Sequence, residues 1–90
     1  MIQNSSAISK TVARRLVLRG LVQGLGVRPA ISRLANELEL AGRVGNTIDG
    51  VEIVVEGMPE RVEQFRVHLR DALPREAHVV DAIEEALPDG

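Results

Sequence analysis

Two apolar stripes with helical spacing, each lying between segments that resemble strands, constrain the fold of this chain most. The first stripe comprises Ile31, Leu34, Ala35 and Leu38, and the second comprises Val62, Phe65, Leu69 and Leu73. Apolar residues three and four positions apart share one side of a helix, so each stripe predicts a helix packed against a core. Pro29 and Pro59 precede the stripes, and proline is well suited to the first position of a helix.

Four segments around these helices have the pattern of strands. They are residues 12–20, 43–46, 51–56 and 77–86. Alternating apolar and polar residues put one face of a strand in the core and the other in solvent. Asp49-Gly50 separates the second segment from the third, and this dipeptide is typical of a hairpin turn. In the last segment, Val79, Val80 and Ile83 are the expected core residues.

The predicted order of elements is therefore β-α-β-β-α-β. The natural arrangement for this order is an α+β, ferredoxin-like sandwich, in which a four-stranded antiparallel sheet carries both helices on one face. A chain of 90 residues makes one such domain, which we place at residues 11–88. Residues 1–10 are mostly polar and are expected to form a flexible N-terminal tail. Because this scaffold carries many functions, function has to be inferred from local motifs.

The composition excludes several classes of site. The chain has no cysteine, which excludes disulfides, thiolate metal sites and a cysteine nucleophile, and fits a cytoplasmic location. Its apolar runs are far shorter than the roughly 20 residues of a membrane-spanning helix, so no membrane partner is expected. The two histidines, His68 and His78, fall on a predicted helix and a predicted strand. Neither a metal nor another cofactor is therefore expected.

The net charge of −2 hides an asymmetry between the two halves of the chain. Residues 1–45 carry seven bases and two acids, whereas residues 46–90 carry four bases and eleven acids. One interpretation is an ordinary solvated surface, with Arg14, Arg15 and Arg19 on an exposed strand. The other is an anion site in the basic half. The acidic total argues against nucleic acid as a partner.

A glycine-rich segment joins the first predicted strand to the first predicted helix. It contains Gly20, Gly24 and Gly26 and ends at Arg28. The backbone N–H groups of such a loop, together with the helix N-terminus behind it, can surround an anion. Arginine adds two parallel donors that suit phosphate oxygens. Neither a P-loop nor a dinucleotide fingerprint is present, and a glycine turn can also serve backbone geometry alone.

Two segments carry a resemblance to a known family. Residues 20–28 read GLVQGLGVR, and residues 42–50 read GRVGNTIDG. They resemble the two motifs of the acylphosphatase family, G-x-V-Q-G-V-G-F-R and G-W-V-x-N-x-x-D-G, and the spacing between them also fits. The resemblance covers residues 12 to about 87. It implies a ferredoxin-like fold and hydrolysis of the carboxyl-phosphate bond of small acyl phosphates.

One branch of that family fits better than the rest. Arg28-Pro29 and residues 50–57, GVEIVVEG, are similar to the N-terminal acylphosphatase domain of HypF-type carbamoyltransferases, which help to build nickel–iron hydrogenases. The cysteine-rich zinc modules and further catalytic domains of those proteins are absent from this chain. The resemblance implies carbamoyl phosphate as a ligand and other hydrogenase-maturation domains or proteins as partners. The alternative to an enzyme is then a phosphate-binding domain that works only within a larger assembly.

The same resemblance implies roles for individual residues. The implied phosphate-binding residues are Gln23, Gly24, Leu25, Gly26, Val27 and Arg28. The implied catalytic residues are Arg28, which holds the phosphoryl group, and Asn46, which orients the attacking water. Two alternatives stay open. The Gln23 side chain could brace the loop instead of contacting the phosphate, and Asn46 could be a structural turn residue instead of a catalytic one.

Four positions depart from the family pattern. Val27 and Ala30 replace phenylalanines, Arg43 replaces a tryptophan and Glu39 replaces a glycine. The smaller side chains are expected to support the loop less firmly. Glu39 is expected to cost roughly 1 kcal/mol, because the helix end at that position favours a residue with positive φ.

Overall fold

The computed structural model describes residues 10–24 and 26–88, which form six regular elements. They are β1 (Val12–Leu21), α1 (Val27–Glu37), β2 (Ala41–Asn46), β3 (Gly50–Gly57), α2 (Pro59–Ala72) and β4 (His78–Leu87). Residues 1–9 of the predicted tail and Leu25 of the predicted phosphate loop lie outside the described residues. The predicted order of elements is confirmed, and the boundaries shift by one or two residues.

The four strands form one antiparallel sheet in the order β2-β3-β1-β4. β1 lies inside the sheet and pairs along nearly its whole length with β3 on one side and β4 on the other. Both helices pack on the same face of this sheet and contribute to one core. The predicted α+β, ferredoxin-like sandwich is therefore confirmed.

The core lies between the sheet and the two helices, and it is almost entirely aliphatic. Its buried members include Leu16 and Leu18 on β1, Val51, Ile53 and Val55 on β3, Ile31 on α1, and Val62, Phe65 and Leu69 on α2. Strand residues contribute at every second position, and helix residues contribute at three- and four-residue spacing. Phe65, the single aromatic residue, is completely buried. Both predicted helical stripes thus face the sheet.

The prediction for the last strand was wrong for two of its three core residues. Val79 packs against the core, but Val80 is 75% exposed and Ile83 is 44% exposed. Ile83 pairs with Val17, and directly paired residues share one face of a sheet. Because Leu16 and Leu18 face the helices, Val17 and Ile83 lie on the opposite face.

A β-bulge in β4 causes this error. Arg19 pairs with Asp81, whereas the next residue, Gly20, pairs with Val79. Val80 is therefore an extra residue without a partner of its own on β1. An extra residue reverses the alternation of side chains between the two faces of a strand. Val79, before the bulge, therefore faces the core, whereas Ile83, beyond it, lies on the opposite face.

The sheet face away from the helices carries ion pairs between β1 and its neighbours. Arg15 contacts Glu52 on β3 at 2.5 Å and Glu85 on β4 at 3.2 Å. Arg19 contacts Asp81 on β4 at 3.0 Å. Bases from the first half of the chain thus face acids from the second half across the antiparallel sheet. Part of the charge asymmetry is therefore accounted for by pairing across this surface.

The end of α1 forces one residue into a left-handed conformation. The N–H of Glu39 donates to the carbonyl of Asn36 at 3.1 Å, and the N–H of Leu40 donates to that of Ala35 at 2.9 Å. These two bonds form a Schellman motif, which requires positive φ at its central residue. Glu39 has a φ of 60°, and among the described residues it is the one non-glycine residue with positive φ.

We predict that Glu39→Gly stabilises the protein by about 1 kcal/mol, because glycine adopts this conformation without the clash of a Cβ atom. The exposed ion pair with Arg61, at 2.9 Å, is lost in this variant and offsets only a few tenths of a kcal/mol. Urea denaturation measures the change. Glu37→Gly is the matched control, since it lies two residues earlier in helical conformation and should destabilise. Equal effects at both positions would contradict the account.

We predict that the Arg15–Glu52 pair makes the free energy of unfolding depend on pH in the acidic range. The hydrogen bond from Arg15 lowers the pKa of Glu52 below its ordinary value of 4.5. A carboxyl with a lowered folded pKa stabilises the fold above its unfolded pKa and loses that contribution as the pH falls. Glu52→Gln should therefore be less stable than the wild type at pH 7, and the two should converge below pH 4.5.

Urea denaturation at several pH values measures this convergence. Glu76→Gln is the control, because no ion pair to Glu76 is found in residues 10–24 and 26–88. Its profile should match that of the wild type. A constant difference between Glu52→Gln and wild type from pH 7 to pH 3 would show that the ion pair has no role.

Candidate active site

A cleft of about 220 Å³ opens between the β1–α1 loop and the end of β2. Its lining consists of Val22, Gly24, Gly26, Val27, Arg28, Pro29 and Asn46. The structure thus brings together two segments that are 18 residues apart in the sequence, from Arg28 to Asn46. Both residues that the resemblance implies as catalytic line this one cleft.

Two glycines give the loop its shape. Gly24 has a φ of 72° and Gly26 has a φ of 80°, a region that residues with a Cβ atom enter only at a cost. A Cβ atom added at either position would meet no described atom within 4 Å. The glycines are therefore needed for backbone direction, and the space beside them is open to a ligand.

The loop leads directly into the N-terminus of α1. Gly26 is the residue that caps this helix, and the N–H of Ala30 donates to its carbonyl at 3.2 Å. The first N–H groups of a helix have no partner within the helix, so those of Val27 and Arg28 are available to a ligand. In the described part of the chain, no side chain caps this terminus. The helix dipole adds a partial positive charge at the same place.

Arg28 supplies a full positive charge at the mouth of the cleft. The residue is exposed, and no carboxylate of the described ranges lies within ion-pairing distance of it. Arg15 and Arg19 differ in this respect, because each contacts acids on neighbouring strands. Arg28 is also the one cation among the described residues that line this cleft, so the anion-site interpretation of the basic half of the chain rests on Arg28 here.

Asn46 is the last residue of β2 and is paired with Val51 of β3. Val51 is fully buried beneath the helices, and paired residues share a face, so Asn46 lies on the helix side of the sheet. The turn after it is closed by the N–H of Thr47, which donates to the carbonyl of Gly50 at 2.8 Å. The hairpin thus places the Asn46 amide at the edge of the cleft.

The Gln23 side chain binds this hairpin turn. Its Nε2 donates to the carbonyl of Thr47 at 2.6 Å and to the carbonyl of Gly50 at 2.7 Å. Gln23 is absent from the cleft lining, although both of its neighbours line it. Of the two roles considered from the sequence, these contacts correspond to bracing. These partners could not be detected from the sequence, because the acceptors are backbone carbonyls 24 and 27 residues away.

The two positions where the family pattern has phenylalanine are both buried. Val27 is 2% exposed and Ala30 is 5% exposed. The loop and the start of α1 are therefore anchored in the core by small aliphatic side chains, and the weaker support of the loop that their size implies stays a prediction.

A second cleft, of about 330 Å³, lies near the opposite end of β1, where that strand meets α2 and β4. Its charged lining residues, Arg14 and Glu63, are both engaged, Arg14 with Glu84 at 3.9 Å and Glu63 with Arg66 at 2.6 Å. Its described lining contains no unpaired cation, and the helix N-terminus that borders it, that of α2, begins at Pro59, which has no N–H to donate. The smaller cleft is therefore the better anion site.

Within residues 10–24 and 26–88, no three His, Cys, Asp or Glu side chains are grouped as a metal site requires. Neither described helix is long and apolar enough to cross a membrane. The cleft combines free backbone N–H groups, one guanidinium and one carboxamide, and it contains no acidic side chain. This combination suits a small anion with several oxygens, with an amide beside it that can both donate to and accept from a water molecule.

We predict that Gly26→Ala destabilises the protein by about 1–2 kcal/mol, because alanine is strained at this φ. We expect inorganic phosphate to stabilise the wild type by binding at this loop, and Gly26→Ala should reduce that stabilisation, since the loop N–H groups move. Urea denaturation with and without phosphate measures both effects. Gly45→Ala is the matched control, because its Cβ atom also meets no described atom within 4 Å but its φ is ordinary. Indistinguishable stabilities of the two variants would refute the requirement for a left-handed residue.

Comparison with known proteins identifies the family. Residues 14–89 match the family model Acylphosphatase. The chain is 43% identical over 76 residues to carbamoyltransferase HypF2 of Cupriavidus necator, which covers 84% of this chain and 9% of that protein. It is also 43% identical over 72 residues to an acylphosphatase of Caldivirga maquilingensis, which covers 78% of this chain and 74% of that protein.

Solved structures give the same result. The fold superposes on full-length HypF in its phosphate- and nucleotide-bound form with a TM-score of 0.84 and 28% identity, covering 89% of this chain and 11% of that one. It superposes on the Bacillus subtilis acylphosphatase with a TM-score of 0.80 and 26% identity, covering 87% of each chain. The chain thus spans about a tenth of the carbamoyltransferases and most of the acylphosphatases. It belongs to the acylphosphatase family.

Proposed function

We propose that this protein is an acylphosphatase that hydrolyses the carboxyl-phosphate bond of small acyl phosphates or carbamoyl phosphate. The observation that carries the proposal is that Gly24, Gly26, Arg28 and Asn46 line the same cleft. Relatives named acylphosphatase, at 39–51% identity, support the same activity.

In this proposal the cleft holds the phosphoryl group. The N–H groups of Val27 and Arg28 and the Arg28 guanidinium donate to its non-bridging oxygens, whose negative charge they compensate. Phosphoryl transfer depends mainly on such positioning and electrostatic stabilisation, because little covalent chemistry is left for the protein to do. Arg28 presents a planar pair of donors, which fits two oxygens of one phosphate.

Asn46 positions the nucleophile. Its carboxamide accepts a hydrogen bond from a water molecule and can donate to a second acceptor, which fixes the water beside the phosphorus atom. The water attacks phosphorus, and the bond between phosphorus and the acyl oxygen breaks. The electron pair of that bond leaves with the carboxylate, or with carbamate when carbamoyl phosphate reacts. The proton of the water passes to the phosphate, so no side-chain base is required.

We predict that Arg28→Ala and Asn46→Ala each lower kcat for benzoyl phosphate by about 100-fold or more, as expected when one transition-state donor is removed. Phosphate release measures the rate. Arg33→Ala is the control, because Arg33 is an exposed residue of α1 outside the cleft lining. Wild-type rates in the Arg28 or Asn46 variants would refute the assigned roles.

A second candidate function follows from the carbamoyltransferase relatives. The match to HypF2 covers 84% of this chain, so the domain could bind carbamoyl phosphate for other hydrogenase-maturation domains without turnover of its own. The two functions differ in one measurement. The binding-domain function is supported if phosphate binds saturably and in a way that depends on Arg28, while neither benzoyl phosphate nor carbamoyl phosphate releases phosphate. Absence of both binding and release contradicts both candidates.

A further inference from the structure

We propose that Gln23 is a positioning residue that sets the distance between the phosphate loop and Asn46. The inference rests on the proposed function, because Asn46 orients the attacking water there. Gln23 belongs to the β1–α1 loop, and the turn that it binds directly follows Asn46. Its side chain therefore links the two halves of the cleft without being part of the cleft lining.

The contacts of Gln23 use both hydrogens of one amide nitrogen. Nε2 lies 2.6 Å from the carbonyl oxygen of Thr47 and 2.7 Å from that of Gly50. These oxygens belong to the two ends of the same turn, which the N–H of Thr47 already joins to the carbonyl of Gly50. With both hydrogens engaged, Nε2 has no donor left for a phosphate oxygen. Gln23 thus acts on the substrate through the turn.

The turn depends on such hydrogen bonds because its side chains pack poorly. Ile48 at its tip is completely exposed, and Asp49 is exposed as well. Apart from the β1–β3 ladder, the described hydrogen bonds that join this turn to β1 or to the loop after it are the two of Gln23 and one from the N–H of Gly20, in β1, to the carbonyl of Asp49 at 3.1 Å. Arg19 of β1 also contacts the Asp49 carboxylate, at 3.8 Å. Loss of the Gln23 bonds therefore removes both of the described hydrogen bonds that come from the β1–α1 loop itself.

The contacts of Gln23 are therefore expected to affect kcat without affecting the affinity for phosphate. Arg28 and the N–H groups at the start of α1 hold the phosphate whether or not the turn shifts. The water held by Asn46 must in addition be aligned with phosphorus, and a displacement of about 1 Å in a reacting geometry can cost 100-fold in rate. Removal of the Gln23 amide should therefore lower kcat and leave phosphate affinity nearly unchanged.

The test is a double-mutant cycle between Gln23→Met and Asn46→Ala with benzoyl phosphate as substrate. Methionine keeps the length of the side chain and removes both donors. We expect Gln23→Met to lower kcat by about 10- to 100-fold, with little change in KM or in inhibition by inorganic phosphate. In the Asn46→Ala background the same change should have almost no further effect, because residues that act as a unit are not additive.

Two outcomes of the cycle overturn the inference. One is a Gln23→Met effect of full size in the Asn46→Ala background, and the other is a loss of phosphate inhibition that parallels the loss of kcat. If Asn46→Ala itself has wild-type activity, the proposed function fails at a separate point. Urea denaturation establishes that each variant is folded under the assay conditions.

A second measurement tests the inference if the wild type releases no phosphate. The side-chain amide resonances of Asn46 report its position directly by NMR. Gln23→Met should shift or broaden them and leave the backbone resonance of Phe65, in the centre of the core, in place. Unchanged Asn46 side-chain resonances would overturn the positioning role.

Discussion

The antiparallel pairing of β1 with β3 and β4 is the constraint on which the rest of the structure depends. β1 is bonded on both sides over nearly its whole length, so its two faces and its end point are fixed. One face contributes Leu16 and Leu18 to the core, and the other carries Arg15 and Arg19 in ion pairs. The glycine loop follows the end of β1 and leads into the N-terminus of α1, which lies beside the β2–β3 hairpin.

The site follows from this arrangement with few additional requirements. Two left-handed glycines turn the chain from β1 into α1, and this turn leaves the first N–H groups of the helix without partners. The hairpin, held to β1 through β3, carries Asn46 to the same place. Arg15 and Arg19 on β1 are paired with acids, whereas Arg28 is the one cation that the described part of the chain contributes to the cleft lining. The proposed chemistry therefore uses backbone geometry and one arginine, with an amide for the water.

Much of the fold could be predicted because its elements have local signals. The helical stripes, the Asp49-Gly50 turn and the positions of Pro29 and Pro59 all depend on neighbouring residues. Val80 and Ile83 were placed wrongly because a bulge is a property of two paired strands, and the sequence of β4 alone does not indicate it. The positive φ at Glu39 was expected from the family pattern, and its φ of 60° confirms it.

The place of the candidate cleft could be predicted from the two motifs, whereas the contacts within it could not. The two motifs single out Arg28 and Asn46, and both line the cleft. The role of Gln23 stayed open between ligand and brace, because its partners are main-chain carbonyls that have no side-chain identity to detect. The pairing of Arg15 with Glu52 and Glu85 is likewise a consequence of strand register, over 37 and 70 residues of sequence.

The central claim is that a phosphoryl group lies in the Gly24–Arg28 loop with water aligned on its phosphorus atom by Asn46. Hydrolysis of benzoyl phosphate in ¹⁸O-labelled water, followed by mass spectrometry of both products, tests this claim most directly. Attack at phosphorus puts the label in inorganic phosphate and leaves benzoate unlabelled, which is the result that the account predicts. Label in benzoate would mean attack at the carbonyl carbon and would contradict it.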